Sequence, residues 1–191
     1  MLAYILRICF ILWRITHTLL SVITSLLFVL VPKDRHLWIF SSWDGKKATD
    51  NPAYFFDYCH EFSNKKLVWI LKSKSEVKNL KAKGIDVYYT YSPLGIYYQL
   101  RASCCFFTHA IFSDFETCFI ARNTKRCQMW HGIPMKKIGF DDKRVSFRMK
   151  FFHGTRWNKY FFNEYYTYVL TCGELYTDIY SKAYQLNRNC Q

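Results

Sequence analysis

The first 31 residues are apolar except along one narrow line. On a helix turning about 100° per residue, Arg7, Arg14, Thr18, Ser21 and Ser25 fall within a single stripe, and the opposite surface is Leu, Ile, Phe, Val and Trp. This pattern predicts an amphipathic helix suited to lying in a membrane interface. The uninterrupted apolar part, residues 19–31, is short for a span, although a helix starting near Ile15 just reaches across. Pro32-Lys33 follows where a secretory signal would carry small residues for cleavage. Packing of this helix onto the protein's own domain is the plainer alternative.

From residue 37 the pattern changes to short apolar runs separated by helix-length segments. Residues 37–42, 67–71, 85–89, 104–108, 127–130 and 168–172 read as strands. Between them, Asn51 reads as a helix N-cap with Pro52 in the first turn of a helix over 53–62. A charged helix over 74–83 closes at Gly84, and residues 93–101 and 174–184 read as two further helices. Residues 141–150, with Lys143, Arg144, Arg148 and Lys150, read as a charged surface segment, and 156–166 as an aromatic-rich one. Strands alternating with helices imply a parallel sheet covered on both faces, an α/β fold of Rossmann-like type. The predicted layout is a membrane-associating helix over 1–31 followed by one domain over 37–191.

The run from Arg126 to Gly139 carries the most chemistry. An apolar strand ends in His131, turns through Gly132, and meets Pro134 where a helix is expected to start. In an open α/β sheet this places an imidazole at the carboxyl edge, where ligands bind. A helix start there, with Lys136 and Lys137, favours an anion such as phosphate. His109 follows another buried strand and reads as structural, and Trp130 reads as core.

Charge narrows the partners. The formal net charge is +13, so an anionic partner is implied: nucleic acid, an anionic leaflet, or a phosphate-rich substrate. Lys33, Arg35, Lys46 and Lys47 follow the amphipathic stretch and favour the cytoplasmic face of a membrane. No helix-turn-helix, RNP or zinc-finger pattern supports nucleic acid. The eight cysteines form no Cys-x-x-Cys pair and match no zinc spacing, so they read as thiols in a reducing cytoplasm, with no metal and no cofactor expected. No Gly-rich phosphate loop, G-x-S-x-G elbow or H-E-x-x-H helix is present.

Two blocks carry a family resemblance. Trp130-His131-Gly132-Ile133-Pro134-Met135-Lys136 resembles the W-H-G-x-P-[LM]-K signature of the CDP-glycerol glycerophosphotransferases, bacterial enzymes that build teichoic-acid-type polymers. Gly45 followed by Asp50-Asn51-Pro52 and Tyr54 is similar to an amino-terminal block of the same family. The resemblance covers residues 37 to 191. It implies the first domain of a two-domain GT-B architecture, with acceptor elements in that domain and the CDP-glycerol site largely in a second. It assigns His131 as catalytic, and Asp50, Asn51, Gly132 and Lys136 as substrate-binding. The implied partners are a CDP-polyol donor, a phosphate-rich polymer or lipid-linked acceptor, and an anionic membrane surface. The histidine, serine and arginine motifs of the family's second half have no counterpart here. The resemblance therefore implies a fragment, a truncated product or one member of a split enzyme. A non-enzymatic membrane-bound polymer-binding module is the competing class.

Overall fold

The apolar runs pair into one parallel sheet in a computed structural model that describes residues 2–142, 165–184 and 186. Its strands are β1 (Asp34–Phe40), β2 (Lys66–Leu71), β3 (Val87–Tyr89), β4 (Ala102–Phe107), β5 (Lys125–Gln128) and β6 (Tyr168–Val169), in the order β3-β2-β1-β4-β5-β6. Every neighbouring pair is parallel. Ile39 sits in register with Val68 on one side and Cys105 on the other. The order reverses direction between β1 and β4, which opens a crevice at the carboxyl ends of those two strands.

Both faces of the sheet are covered, which is why residues 67–71 are all buried rather than alternating. One face buries Leu37, Ile39, Ile70 and Phe107 beneath Tyr98 of α4 (Pro93–Arg101) and Tyr180 of α6 (Glu174–Tyr184). The other buries Phe40, Trp69 and Phe106 beneath Phe56 of α2 (Asp50–Phe62) and Leu80 of α3 (Lys74–Ala82). Local signals set the helix starts. Ser73 Oγ accepts the Glu76 N–H, and Ser92 Oγ accepts the Gly95 N–H just before Pro93. A four-residue helix α5 (Ile111–Asp114) follows β4.

Three sequence expectations fail locally, each for a physical reason. Asn51 does not cap α2; Thr49 holds that position, and the Asn51 amide reaches across the crevice instead. The strand expected over 127–130 ends at Gln128, because Trp130 adopts φ +55° and turns the chain out of the sheet. No helix starts at Pro134; the chain stays irregular up to a 3₁₀ turn at Gly139–Asp141. Ile133 and Met135 are 55% and 99% exposed, so a helix there would have no apolar face to bury. The anion site expected at that helix start therefore loses its basis, and Lys136 is exposed. The expectations for residues 143–164 lie outside the described residues.

The amino-terminal stretch is helical over Leu2–Leu27 (α1), with a 3₁₀ turn at Phe28–Leu30. Its polar stripe turns inward at the carboxyl end, while Arg7 stays exposed. Ser21 and Ser25 are buried at 3% and 4% exposure, and the Ser25 carbonyl accepts the Arg122 N–H. The two hydroxyls bond back to the carbonyls of Thr18 and Val22, so burying them leaves no orphan donor. Small residues four apart also let the helix approach closely. The apolar side is left outward, with Leu12, Trp13, Leu20, Ile23 and Leu27 all more than half exposed. Lys33 is turned inward as well: Nζ donates to the Leu100 carbonyl, and burial pushes its ammonium down to about 8.

Candidate functional site

Three strand ends meet at the crevice. The loop after β1 brings Trp43 and Asp50, the turn after β4 brings Thr108 and His109, and the segment after β5 brings His131. His109 and His131 stack at 4.4 Å between ring centroids. Trp130 also stacks on His131, at 4.9 Å, and Trp43 approaches His109 at 5.3 Å. His131 itself is exposed.

A buried carboxylate fixes the β4 side. Asp114 Oδ2 accepts the backbone N–H groups of Thr108 and His109 at 2.8 and 3.0 Å. Thr108 Oγ1 accepts the Trp43 N–H and lies 2.9 Å from His109 Nδ1. The β1 side is held by a tight approach. Gly45 has φ +70°, and a Cβ there would lie 2.8 Å from the Asp114 carbonyl oxygen, so only glycine fits. Lys72, just after β2, donates its backbone N–H to the Gly45 carbonyl and its Nζ to the Ser113 carbonyl, each at 2.6 Å, and so ties this loop to α5.

Asp50 and Asn51 serve different geometries. Asp50 Oδ2 accepts the Trp43 indole N–H at 3.2 Å, and Oδ1 accepts the Asn51 N–H. Asn51 Nδ2 donates to the carbonyls of Met129 and Trp130 at 2.9 and 3.1 Å, which are the two residues before His131. Gln128 secures the same segment, its amide nitrogen donating to the His109 carbonyl and its Oε1 accepting the Trp130 N–H. On the far side, Tyr180 donates to the Gly132 carbonyl at 3.1 Å. Asn51→Ala leaves two carbonyls without this donor. It is expected to cost about 1–3 kcal/mol in urea denaturation. A change within experimental error would show that the clamp carries no stability.

Strain collects at the same place. Trp43, Asp44, Asp50 and Trp130 are the non-glycine residues with positive φ among the described residues. Each such conformation costs on the order of 1–3 kcal/mol and persists only where surrounding contacts impose it. All four lie on the loops that frame the two histidines.

Electrostatics favour a neutral His131. Removal from water holds its imidazole below the ordinary value, and the neighbouring His109 adds to that, while Asp50 and Asp114 pull the other way. His131 is thus suited to accept a proton near neutral pH. A separate cavity of about 540 Å³ opens beside Asn51, lined by Tyr54, Phe55, Tyr58, Met129 and Leu170 among others. No lysine or arginine is among its described lining residues.

His131, Asp50, Asn51 and Gly132 are thus brought to one crevice, and Lys136 sits out on the irregular segment. Sequence reasoning missed His109, Thr108, Asp114 and Trp43. A signal was present: two buried strands are each followed within three residues by a histidine, at 109 and 131.

A parallel sheet in this order, with polar groups converging where the strand order reverses, defines the Rossmann class of ligand-binding domains. The chain belongs to the CDP-glycerol:poly(glycerophosphate) glycerophosphotransferase family, whose profile matches residues 23–190. A teichoic acid glycerol-phosphate transferase of Staphylococcus aureus is 25% identical over 126 residues, 66% of this chain and 31% of the relative. A teichoic acid poly(glycerol phosphate) polymerase of Bacillus spizizenii is 28% identical over 171 residues, 83% of this chain and 40% of the relative. Structures of the wall teichoic acid polymerase TagF share the fold, one of them with a TM-score of 0.60 and 19% identity over 89% of this chain and 42% of that one. The chain spans less than half the length of these relatives.

Proposed function

We propose that this chain is the acceptor-side domain of a CDP-glycerol-dependent glycerophosphotransferase that works at the cytoplasmic face of a bacterial membrane. The observation that carries this reading is the crevice at the β1/β4 reversal, where His131 stacks on His109 and its imidazole is held below the ordinary value. His131 takes the proton from an acceptor hydroxyl as the oxygen attacks phosphorus. The new O–P bond forms as the P–O bond to CMP breaks, and CMP leaves. Asp50 orients the site through Trp43, and Asn51 positions the His131 segment. The donor's cytidine and leaving phosphate are assigned to a second domain, matching the length by which the relatives exceed this chain. Joined to the second domain of such a relative, the chain should release CMP from CDP-glycerol in the presence of a glycerol phosphate polymer. A folded fusion that binds the donor yet releases no CMP would overturn the assignment.

The helix α1 supplies the membrane contact. It is long and apolar enough to cross a membrane by length and composition, and its outward side is apolar. Because Ser21 and Ser25 anchor one edge to the domain, the opposite side is the one offered to lipid. Exposed Arg35, Lys46 and Lys47 favour an anionic leaflet. Deleting residues 1–31 is expected to move the protein from the membrane pellet to the supernatant. Continued sedimentation of the deletion variant with vesicles containing phosphatidylglycerol would rule α1 out as the anchor.

A further inference from the structure

The contact between α1 and the domain contains a set of donor atoms that spacing along the chain could not reveal. His17 Nε2 lies 2.9 Å from Glu116 Oε1, and Cys118 Sγ lies 3.8 Å from the same nitrogen. The three ligand atoms all fall within 4.8 Å of one another. Cys118 is buried, and the Glu116 and His17 side chains are 12% and 30% exposed. A tetrahedral zinc ion has bonds of about 2.0–2.1 Å to nitrogen, about 2.0–2.2 Å to carboxylate oxygen and about 2.3 Å to sulfur. Those lengths place N and O about 3.3 Å apart and N and S about 3.6 Å apart. The observed N–O and N–S separations differ from these by a few tenths of an ångström, and the carboxylate oxygen and Sγ lie within 4.8 Å of each other.

The surroundings orient these ligands as metal sites require. Tyr91 donates to Glu116 Oε2 at 3.0 Å, and the Cys118 N–H donates to Oε1 at 3.2 Å. Such outer contacts fix a ligating carboxylate. We propose that His17, Glu116 and Cys118 bind a zinc ion, with water as the fourth ligand, and that the ion clips α1 to the domain. Cys118 enters the site as a buried thiol. On binding it releases one proton to solvent and ligates as thiolate, while His17 ligates through Nε2 and carries its hydrogen on Nδ1. The thiolate and carboxylate together match the two charges of the ion, and no electron transfer is involved. Cysteine, histidine and carboxylate are the ligand types zinc accepts.

The test uses the whole chain in detergent, stripped with a chelator and titrated with zinc or with cobalt as a spectroscopic stand-in. One equivalent should bind, and cobalt should give a thiolate charge-transfer band. Cys118→Ser and His17→Gln should each abolish the band, while Cys9→Ser, which alters an exposed thiol, should keep it. Tyr91→Phe, which leaves all three ligands in place, should weaken zinc binding about 10–100-fold. Absence of the band in the unaltered chain, or its survival in both Cys118→Ser and His17→Gln, would overturn the site and leave a His17–Glu116 hydrogen bond alone.

Discussion

Replacing His131 with alanine in the fusion to a relative's second domain is expected to lower turnover by about 10²–10⁴-fold, the range for removal of a positioned general base. The geometry gives the reason. His131 lies beyond the carboxyl end of β5, stacked on His109 and on Trp130, on a segment fixed by Asn51, Gln128 and Tyr180. A base held this way loses little orientation entropy when the acceptor hydroxyl arrives. Donor affinity should change little, because the donor's contacts are assigned to the other domain. A loss below about threefold would return His131 to a structural role at the sheet edge.

The pH profile separates chemistry from folding. A base must be unprotonated to act, so the acid limb of turnover follows the imidazole. Burial and His109 hold that imidazole below its ordinary value, and activity should therefore persist below about pH 6.5 before falling. His109→Ala removes a like-charged neighbour, and the limb should move upward. A limb unmoved by that change, with turnover otherwise retained, would show that the stacked pair is not electrostatically coupled.

The sheet was legible in the sequence because parallel strands buried on both faces leave apolar runs that little else produces; residues 67–71 are the clearest case. The helices over 93–101 and 174–184 carried their own start signals, Ser92-Pro93 and Gly173-Glu174, and the structure has them at those positions. What failed depended on partners far along the chain. Asn51 looks like a cap to its neighbours, yet its amide is taken by carbonyls at 129 and 130. The serines of α1 looked like a wet stripe, yet their hydroxyls are satisfied within the helix and can be buried. Pro134 promised a helix, but Ile133 and Met135 find no surface to cover. His109 was set aside because a lone histidine after a strand is usually structural; only the β4–β5 pairing brings it onto His131.

Residues 1–191 by themselves are expected to release no CMP from CDP-glycerol, whatever acceptor is supplied. In phosphoryl transfer, charge spreads over the transferred group, and the groups that stabilise it must stand ready before reaction. The crevice supplies a neutral imidazole and a strained, well-tied frame. Lys136 is exposed on an irregular segment, and the cavity beside Asn51 is lined by aromatic and apolar groups. Among the described residues, neither provides a cationic cradle for a nucleoside diphosphate. Placing donor and acceptor together contributes roughly 7–11 kcal/mol to such a reaction, and that contribution requires a donor site. Weak donor binding and no turnover should be the result for this polypeptide alone, with activity recovered when a second domain is joined or added in trans. Sustained CMP release by the isolated polypeptide would overturn the division of labour between two domains, and it would move the search for the donor's phosphate contacts back to the loops around His109 and His131.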